Sequence, residues 1–203
     1  MKTYLSVDLD FWNNLKPKQL EADLRRIISH AQKENIPINA VMNHQQMLPL
    51  VNNSGATRLL NIDTHSDLAS FDVQSFNCGT WVSYVKWRKR GAYAWYHRLS
   101  VSSGECSAYP IFNQIGVNHK YVDWKFVFRQ RVKRLPKIDS LFKKCVGVCL
   151  CMSPAYSDYR FRDVFRKLVK EYDIPYKRGR EDEDYYYISR RPPFRTIRPI
   201  PEN

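Results

Sequence analysis

Short apolar runs that stop at acidic or histidine residues recur along the first third of this chain. Thr3 to Val7 ends at Asp8-Leu9-Asp10, and Ile38 to Met42 ends at Asn43-His44. Thr57 to Ile62 follows the turn residues Asn53, Ser54 and Gly55 and ends at Asp63-Thr64-His65-Ser66-Asp67. Runs of this length between turn signals predict buried strands. Between the first two, Pro17 suits the first turn of a helix. Leu20, Leu24, Ile27, Ile28 and Ala31 then keep the three-and-four spacing of an amphipathic helix to about Asn35. A short helix is predicted over Gln45 to Val51. Strand and helix in alternation imply right-handed crossovers and a mainly parallel sheet covered on both faces.

The pattern continues past Asp67 with a loop, Leu68 to Phe76, and an aromatic helix starting at Trp81, Val82, Tyr84, Val85 and Trp87. That helix runs into the basic stretch Lys86 to Arg90 and is expected to stop at Gly91. Tyr93, Trp95 and His97 alternate as in a strand, and Tyr121 to Phe128 reads as another. Cys145 to Met152 is a continuous apolar run of the buried-strand kind, ending at Ser153-Pro154. Asp158 is placed to cap a helix with the face Phe161, Val164, Phe165, Leu168, Val169 and Tyr172. Tyr185 to Ser189 is expected to be an edge strand, followed by an extended Arg/Pro-rich tail from about Arg190 to Asn203. The fold class expected is α/β: one domain over residues 1–203, three layers, with a mainly parallel sheet and helices on both faces.

The strand ends carry the candidate chemistry. Asp63, His65 and Asp67 are two apart, so an extended segment points them the same way. A carboxylate–imidazole–carboxylate row calls for compensation, and a divalent cation is a usual source. The plainer alternative is a surface loop whose aspartates cap the next helix. Asp8, Asp10 and His44 at two further strand ends favour the metal, since open α/β sheets bind ligands outside the carboxyl ends of their strands. With four carboxylates, two imidazoles and no thiolate, the set suits Mn²⁺ or a similar hard cation better than a structural zinc. Six ligands suit two cations that share aspartates. Such a pair holds hydroxide at neutral pH for attack on a guanidinium, amide or ester carbon.

Composition narrows the setting. The net charge of +13 admits a nucleic-acid surface, an acidic peptide partner or only a well-solvated exterior. The basic residues are dispersed over Lys86–Arg90, Arg129–Lys137 and Tyr159–Arg180, with no glycine-rich basic tail, so no nucleic acid is expected. Five cysteines form no disulfide framework, and Cys149 and Cys151 read as small core residues. Asp8 arrives too early for a signal-peptide core, and no apolar run reaches membrane-spanning length. A cytoplasmic, reduced protein without a membrane partner is expected. An exposed edge strand would permit a homodimer.

Asp63-Thr64-His65-Ser66-Asp67 resembles the D-x-H-x-D signature of the ureohydrolases, the arginase and agmatinase superfamily. Ser6-Val7-Asp8-Leu9-Asp10 resembles their S-x-D-x-D, and Asn43-His44 looks like a remnant of their G-G-D-H. In arginases the S-x-D-x-D strand follows the other two. Here it leads, which implies an arginase/deacetylase-like fold with circularly permuted motif order. With Asn77-x-Gly79-x-Trp81 following, the combination is similar to the UPF0489 group, which includes peptide arginases. The likeness covers Thr3 to about Tyr84 well and the remainder weakly.

The resemblance implies two Mn²⁺ per chain. His44, Asp63, Asp67 and Asp8 would hold one, and Asp63, His65, Asp8 and Asp10 the other, with Asp63 and Asp8 as bridges. Asp67 would also be catalytic, holding the attacking hydroxide by a hydrogen bond. The implied reaction converts arginine side chains of a ribosomally made precursor peptide to ornithine and releases urea. Asn77 and Trp81 are candidate substrate contacts, with Glu105 a weaker one. At the place of the arginase histidine-glycine this chain reads Cys78-Gly79. The leaving amine's proton would have to come from elsewhere, His97, His119 or solvent. The alternatives are a metal-dependent deacetylase or amidohydrolase of the same fold, with Ser153-Pro154-Ala155-Tyr156 lining an acyl channel, and a basic non-enzymatic peptide- or RNA-binding protein.

Overall fold

The computed structural model describes residues 1–67, 76, 78–79, 81–85, 92–98 and 128–179. Its strands are β1 (Thr3–Asp8), β2 (Ile38–Val41), β3 (Arg58–Ile62), β4 (Ala92–His97), β5 (Phe128–Arg131), β6 (Cys145–Cys151) and β7 (Tyr176–Lys177). The α-helices are α1 (Pro17–Lys33), α2 (Leu48–Asn53), α3 (Ile138–Phe142) and α4 (Tyr159–Glu171). All the strand pairs are parallel, in the order β5-β4-β3-β1-β6-β2-β7. This is the α/β class expected from the alternating pattern.

The period-two rule sorts the central strands into two faces. Leu5 and Val7 of β1, Leu60 and Ile62 of β3, and Val148 and Leu150 of β6 point into one core cluster. Leu20, Leu24, Ile27, Ile28 and Ala31 of α1 complete it with Phe161, Phe165 and Leu168 of α4. Each of these Leu, Ile, Val and Phe side chains contributes roughly 1.5–3 kcal/mol on full burial. On the opposite face, Tyr4, Leu59, Tyr93, Trp95, Cys149 and Cys151 pack against Met47, Val51, Trp81, Val82 and Val85. The sheet is therefore a middle layer between two covered faces. At the outer surface of the first face, Arg25 of α1 pairs with Glu21 and with Glu171 of α4.

Several boundaries differ from expectation. The aromatic segment forms one 3-10 turn, Trp81–Tyr84, and its expected basic continuation lies outside the described residues. The Gln45–Val51 segment divides into a 3-10 turn, His44–Met47, and α2, where Pro49 falls in the first helical turn. An edge strand, β7, forms at Tyr176–Lys177, and α3 forms at Ile138–Phe142; neither was expected. Both are too short to impose a periodicity. The Leu68–Phe76 loop except Phe76, most of the Tyr121–Phe128 strand, the Tyr185–Ser189 strand and the tail lie outside the described residues. No helix among the described residues is long and apolar enough to cross a membrane.

The topology fixes where a site can form. The chain leaves β1 toward β2 on one side of the sheet and leaves β3 toward β4 on the other. Neighbouring strands whose connections diverge open a crevice at their carboxyl ends. Asp8 ends β1, and Asp63 directly follows β3.

Candidate metal centre

Asp8, Asp10, His44, Asp63 and Asp67 converge at this carboxyl edge, each no more than 5% exposed, with the half-buried His65 beside them. The same backbone device shapes both acidic motifs. Asp8 accepts a hydrogen bond from the Asp10 N–H on Oδ1 (3.0 Å), and Asp63 accepts one from the His65 N–H on Oδ1 (2.7 Å). Asp10 Oδ1 accepts the Thr64 N–H at 3.0 Å, which stitches the end of β1 to the loop after β3. Backbone N–H groups therefore account for one oxygen each of Asp8, Asp10 and Asp63.

The other oxygens converge on the two imidazoles. His44 Nδ1 lies 3.1 Å from Asp8 Oδ2, 3.2 Å from Asp63 Oδ2 and 2.6 Å from Asp67 Oδ2. His65 Nδ1 lies 2.8 Å from Asp10 Oδ2 and 3.8 Å from Asp63 Oδ1. Asp63 thus turns one oxygen to each histidine. Asp10 Oδ2 is buried and accepts no well-directed hydrogen bond despite its short approach to His65. Among the described residues, three groups of donor atoms lie close enough to hold a metal ion: Asp10, Asp63 and His65; His44, Asp63 and Asp67; and Asp8, His44 and Cys151.

A relay behind His44 sets its tautomer. Asn61 Nδ2 donates to Asp63 Oδ2 (3.0 Å), which leaves Asn61 Oδ1 to accept from Ser6 Oγ (2.6 Å). With its hydrogen committed, Ser6 Oγ accepts from His44 Nε2 at 2.8 Å. A neutral His44 therefore presents the bare lone pair of Nδ1 to three carboxylate oxygens. Only a proton or a cation reconciles those four atoms, and a metal ion fits the donor set. Ser6 and Asn61 face each other in the β1–β3 register, which is why the relay closes.

Electrostatics report the same crowding. Burial, and then the Asp10 charge, raises the Asp8 carboxyl, while burial followed by the Asp63 charge raises Asp10. Asp63 is pushed up to about 7, by burial and then by Asp67 and Asp8. Burial alone would lower His44, but Asp67 and the other carboxylates hold it well above the ordinary histidine value. A divalent cation would reverse the carboxylate shifts by neutralising the cluster.

Supporting side chains complete the shell. Trp81 Nε1–H donates to Asp67 Oδ2 at 2.6 Å, and the Trp81 ring centroid lies 5.0 Å from that of His44. Trp81, named above as a candidate substrate contact, is fully buried and holds Asp67 through this hydrogen bond. Trp95 Nε1–H donates to the Asp63 carbonyl, and the Tyr93 hydroxyl to that of Ser66. Ser153 Oγ–H donates to Asp8 Oδ2 from the end of β6, as a fourth strand end facing the crevice allows. Asp67 and Ser153 both adopt left-handed backbone, φ 53° and 43°, a strained conformation often found at functional sites.

Asn61 and Cys151 were not among the expected site residues. The available signal for Asn61 was a polar residue inside an apolar strand, two positions before an acidic one. His97 is buried and stacked on Trp95 at 4.5 Å, outside all three donor groups. The Cys78 thiol approaches the Tyr156 hydroxyl at 3.7 Å, and the Tyr156 ring stands edge-on to His65 at 5.4 Å. Asn77, Glu105 and His119 lie outside the described residues. In comparisons with known proteins, no family model, no curated protein and no solved structure matches this chain.

Proposed function

We propose that the chain is a dinuclear-manganese hydrolase that converts arginine side chains of a precursor peptide to ornithine and releases urea. The observation that carries this reading is Asp63, whose two carboxylate oxygens serve two adjacent donor groups, one built on His44 and one on His65. A shared carboxylate is what a two-metal centre requires. The arrangement gives the motif resemblance a common location, and an arginase-like architecture with permuted motif order is part of the proposal.

Two cations here would lower the pKa of a bound water and supply hydroxide at neutral pH. The chain's own residues do the rest. Asp67, fixed by the Trp81 N–H, orients the nucleophile and accepts its proton. Tyr156, whose ring is beside His65 and whose hydroxyl is near the Cys78 thiol, is the group we assign to meet the leaving amine in place of the arginase histidine.

The test is mass spectrometry of an arginine-containing peptide incubated with the protein and Mn²⁺, beside an Asp67→Ala control. Loss of one cyanamide unit per arginine, with wild type only, is expected. An unchanged peptide and unchanged free arginine would overturn the reading. A second reading, hydrolysis of an acyl-lysine amide, draws on Tyr156, whose hydroxyl-bearing ring next to His65 could polarise a carbonyl. Acetyl-lysine peptides in the same assay separate the two.

A further inference from the structure

The expected ligand set contained no thiol, yet the fold brings the Cys151 sulfur close to two of its members, Asp8 and His44. Cys151 ends β6 in register with Asp8 of β1, so the two side chains point to the same face of the sheet. Cys151 and His44 are on that face with Val41, which pairs with Cys151 from β2. Asp8, His44 and Cys151 are all buried and bring one oxygen, one nitrogen and one sulfur within 4.8 Å of one another. The sulfur is a free thiol with two weak partners, the Met42 carbonyl at 3.6 Å and Ser153 Oγ at 3.3 Å. Cys149, two residues earlier, is equally buried but belongs to none of the donor groups.

We propose that Asp8, His44 and Cys151 form a binding site for a thiophilic divalent cation such as Zn²⁺ or Cd²⁺. Mixed sulfur, nitrogen and oxygen donors suit these ions, whereas the Asp10–Asp63–His65 group offers only the harder oxygen and nitrogen. On binding, the thiol S–H bond breaks, a cation–sulfur bond forms and the proton leaves to the buffer. The two positions along the crevice thus differ in softness. A soft cation bound through Cys151 takes Asp8 and His44 from the harder pair and excludes Mn²⁺ there. The cation site stands on geometry alone, while its inhibitory consequence rests on the proposed hydrolase reading.

The experiment is a titration of the full chain with Cd²⁺, following the ultraviolet thiolate-to-cadmium charge-transfer band. The expected result is a band saturating near about one equivalent, as a single mixed-donor site requires. Cys151→Ser should lose it, while Cys78→Ser and Cys149→Ser keep it. A band of full strength in Cys151→Ser, or none in wild type, would overturn the proposal. X-ray absorption of Cd²⁺-loaded wild type needs no variant to fold: sulfur alongside lighter donors supports the site, and oxygen and nitrogen alone refute it. Wild type that binds Mn²⁺ without the cadmium band overturns this site and spares the hydrolase reading. The band in a protein that releases no urea sustains the site and overturns the hydrolase.

Discussion

Ser6 Oγ accepts a hydrogen bond from His44 Nε2 across 2.8 Å, and this contact decides which nitrogen of the histidine faces the carboxylates. Ser6 can play that part because its own hydrogen is engaged by Asn61, which in turn is oriented by Asp63. A small hydroxyl in the middle of a central, fully buried strand therefore acts on the candidate metal ligands through His44.

Ser6→Ala should leave the sheet intact and weaken the metal. The substitution deletes only the hydroxyl oxygen, so the cost is the lost hydrogen bonds and an unsatisfied Asn61 side-chain carbonyl, about 1–3 kcal/mol. Removing an outer-shell partner of a metal histidine typically lowers affinity about 10–100-fold. Competition with a fluorescent chelator measures it. Unchanged Mn²⁺ affinity would show that the His44 tautomer is set by something other than the relay.

The shared carboxylate makes a sharper distinction. Asp10→Asn removes an oxygen donor from the His65 group only, whereas Asp63→Asn impairs both it and the His44–Asp67 group. Elemental analysis after gel filtration should show the first variant losing about half of the bound metal and the second losing nearly all. Equal losses in the two variants would mean that Asp63 does not bridge.

The site was legible where chemistry sits at a strand end, and illegible where it depends on pairing across strands. Asp8, Asp10, His44, Asp63, His65 and Asp67 follow apolar runs, and the parallel-sheet rule alone brings such ends to one edge. Ser6–Asn61 and Asp8–Cys151 depend on the register β3-β1-β6, which no local pattern encodes. Cys151 accordingly read as core, which it is by burial, while its sulfur also borders the donor groups. The long amphipathic helices α1 and α4 were clear from their apolar stripes; β7, with two residues, carries no stripe to read.

Trp81 offers a test of support without packing change. Trp81→Phe keeps an aromatic ring beside His44 but removes the N–H that donates to Asp67 Oδ2. A hydrogen bond to a charged group contributes about 1.5–3 kcal/mol. If Asp67 orients the nucleophile, the variant should lose roughly tenfold or more in kcat with little change in KM, as expected for an interaction made in the transition state. A rise in KM alone would return Trp81 to a role in substrate binding.

The response of stability to pH carries its own sign. Asp63 is pushed up to about 7 in the metal-free fold, by burial and then by Asp67 and Asp8, from the ordinary carboxylate value of 3.8. Between those values the folded state holds a proton that the unfolded state has released. Stability of the metal-free protein therefore falls as pH rises through this window. The raised Asp8 and Asp10 act in the same direction. So does His44: its contribution is complete below the ordinary histidine value and is lost as pH climbs through its raised folded value. A cation replaces those protons, so its stabilisation should be small at about pH 5 and grow toward about pH 8. At a hundredfold excess over Kd it reaches about 2.7 kcal/mol. Thermal unfolding across that range, with EDTA and with Mn²⁺, should give melting temperatures that diverge as pH rises. Curves that stay parallel would mean that the ion binds away from this cluster.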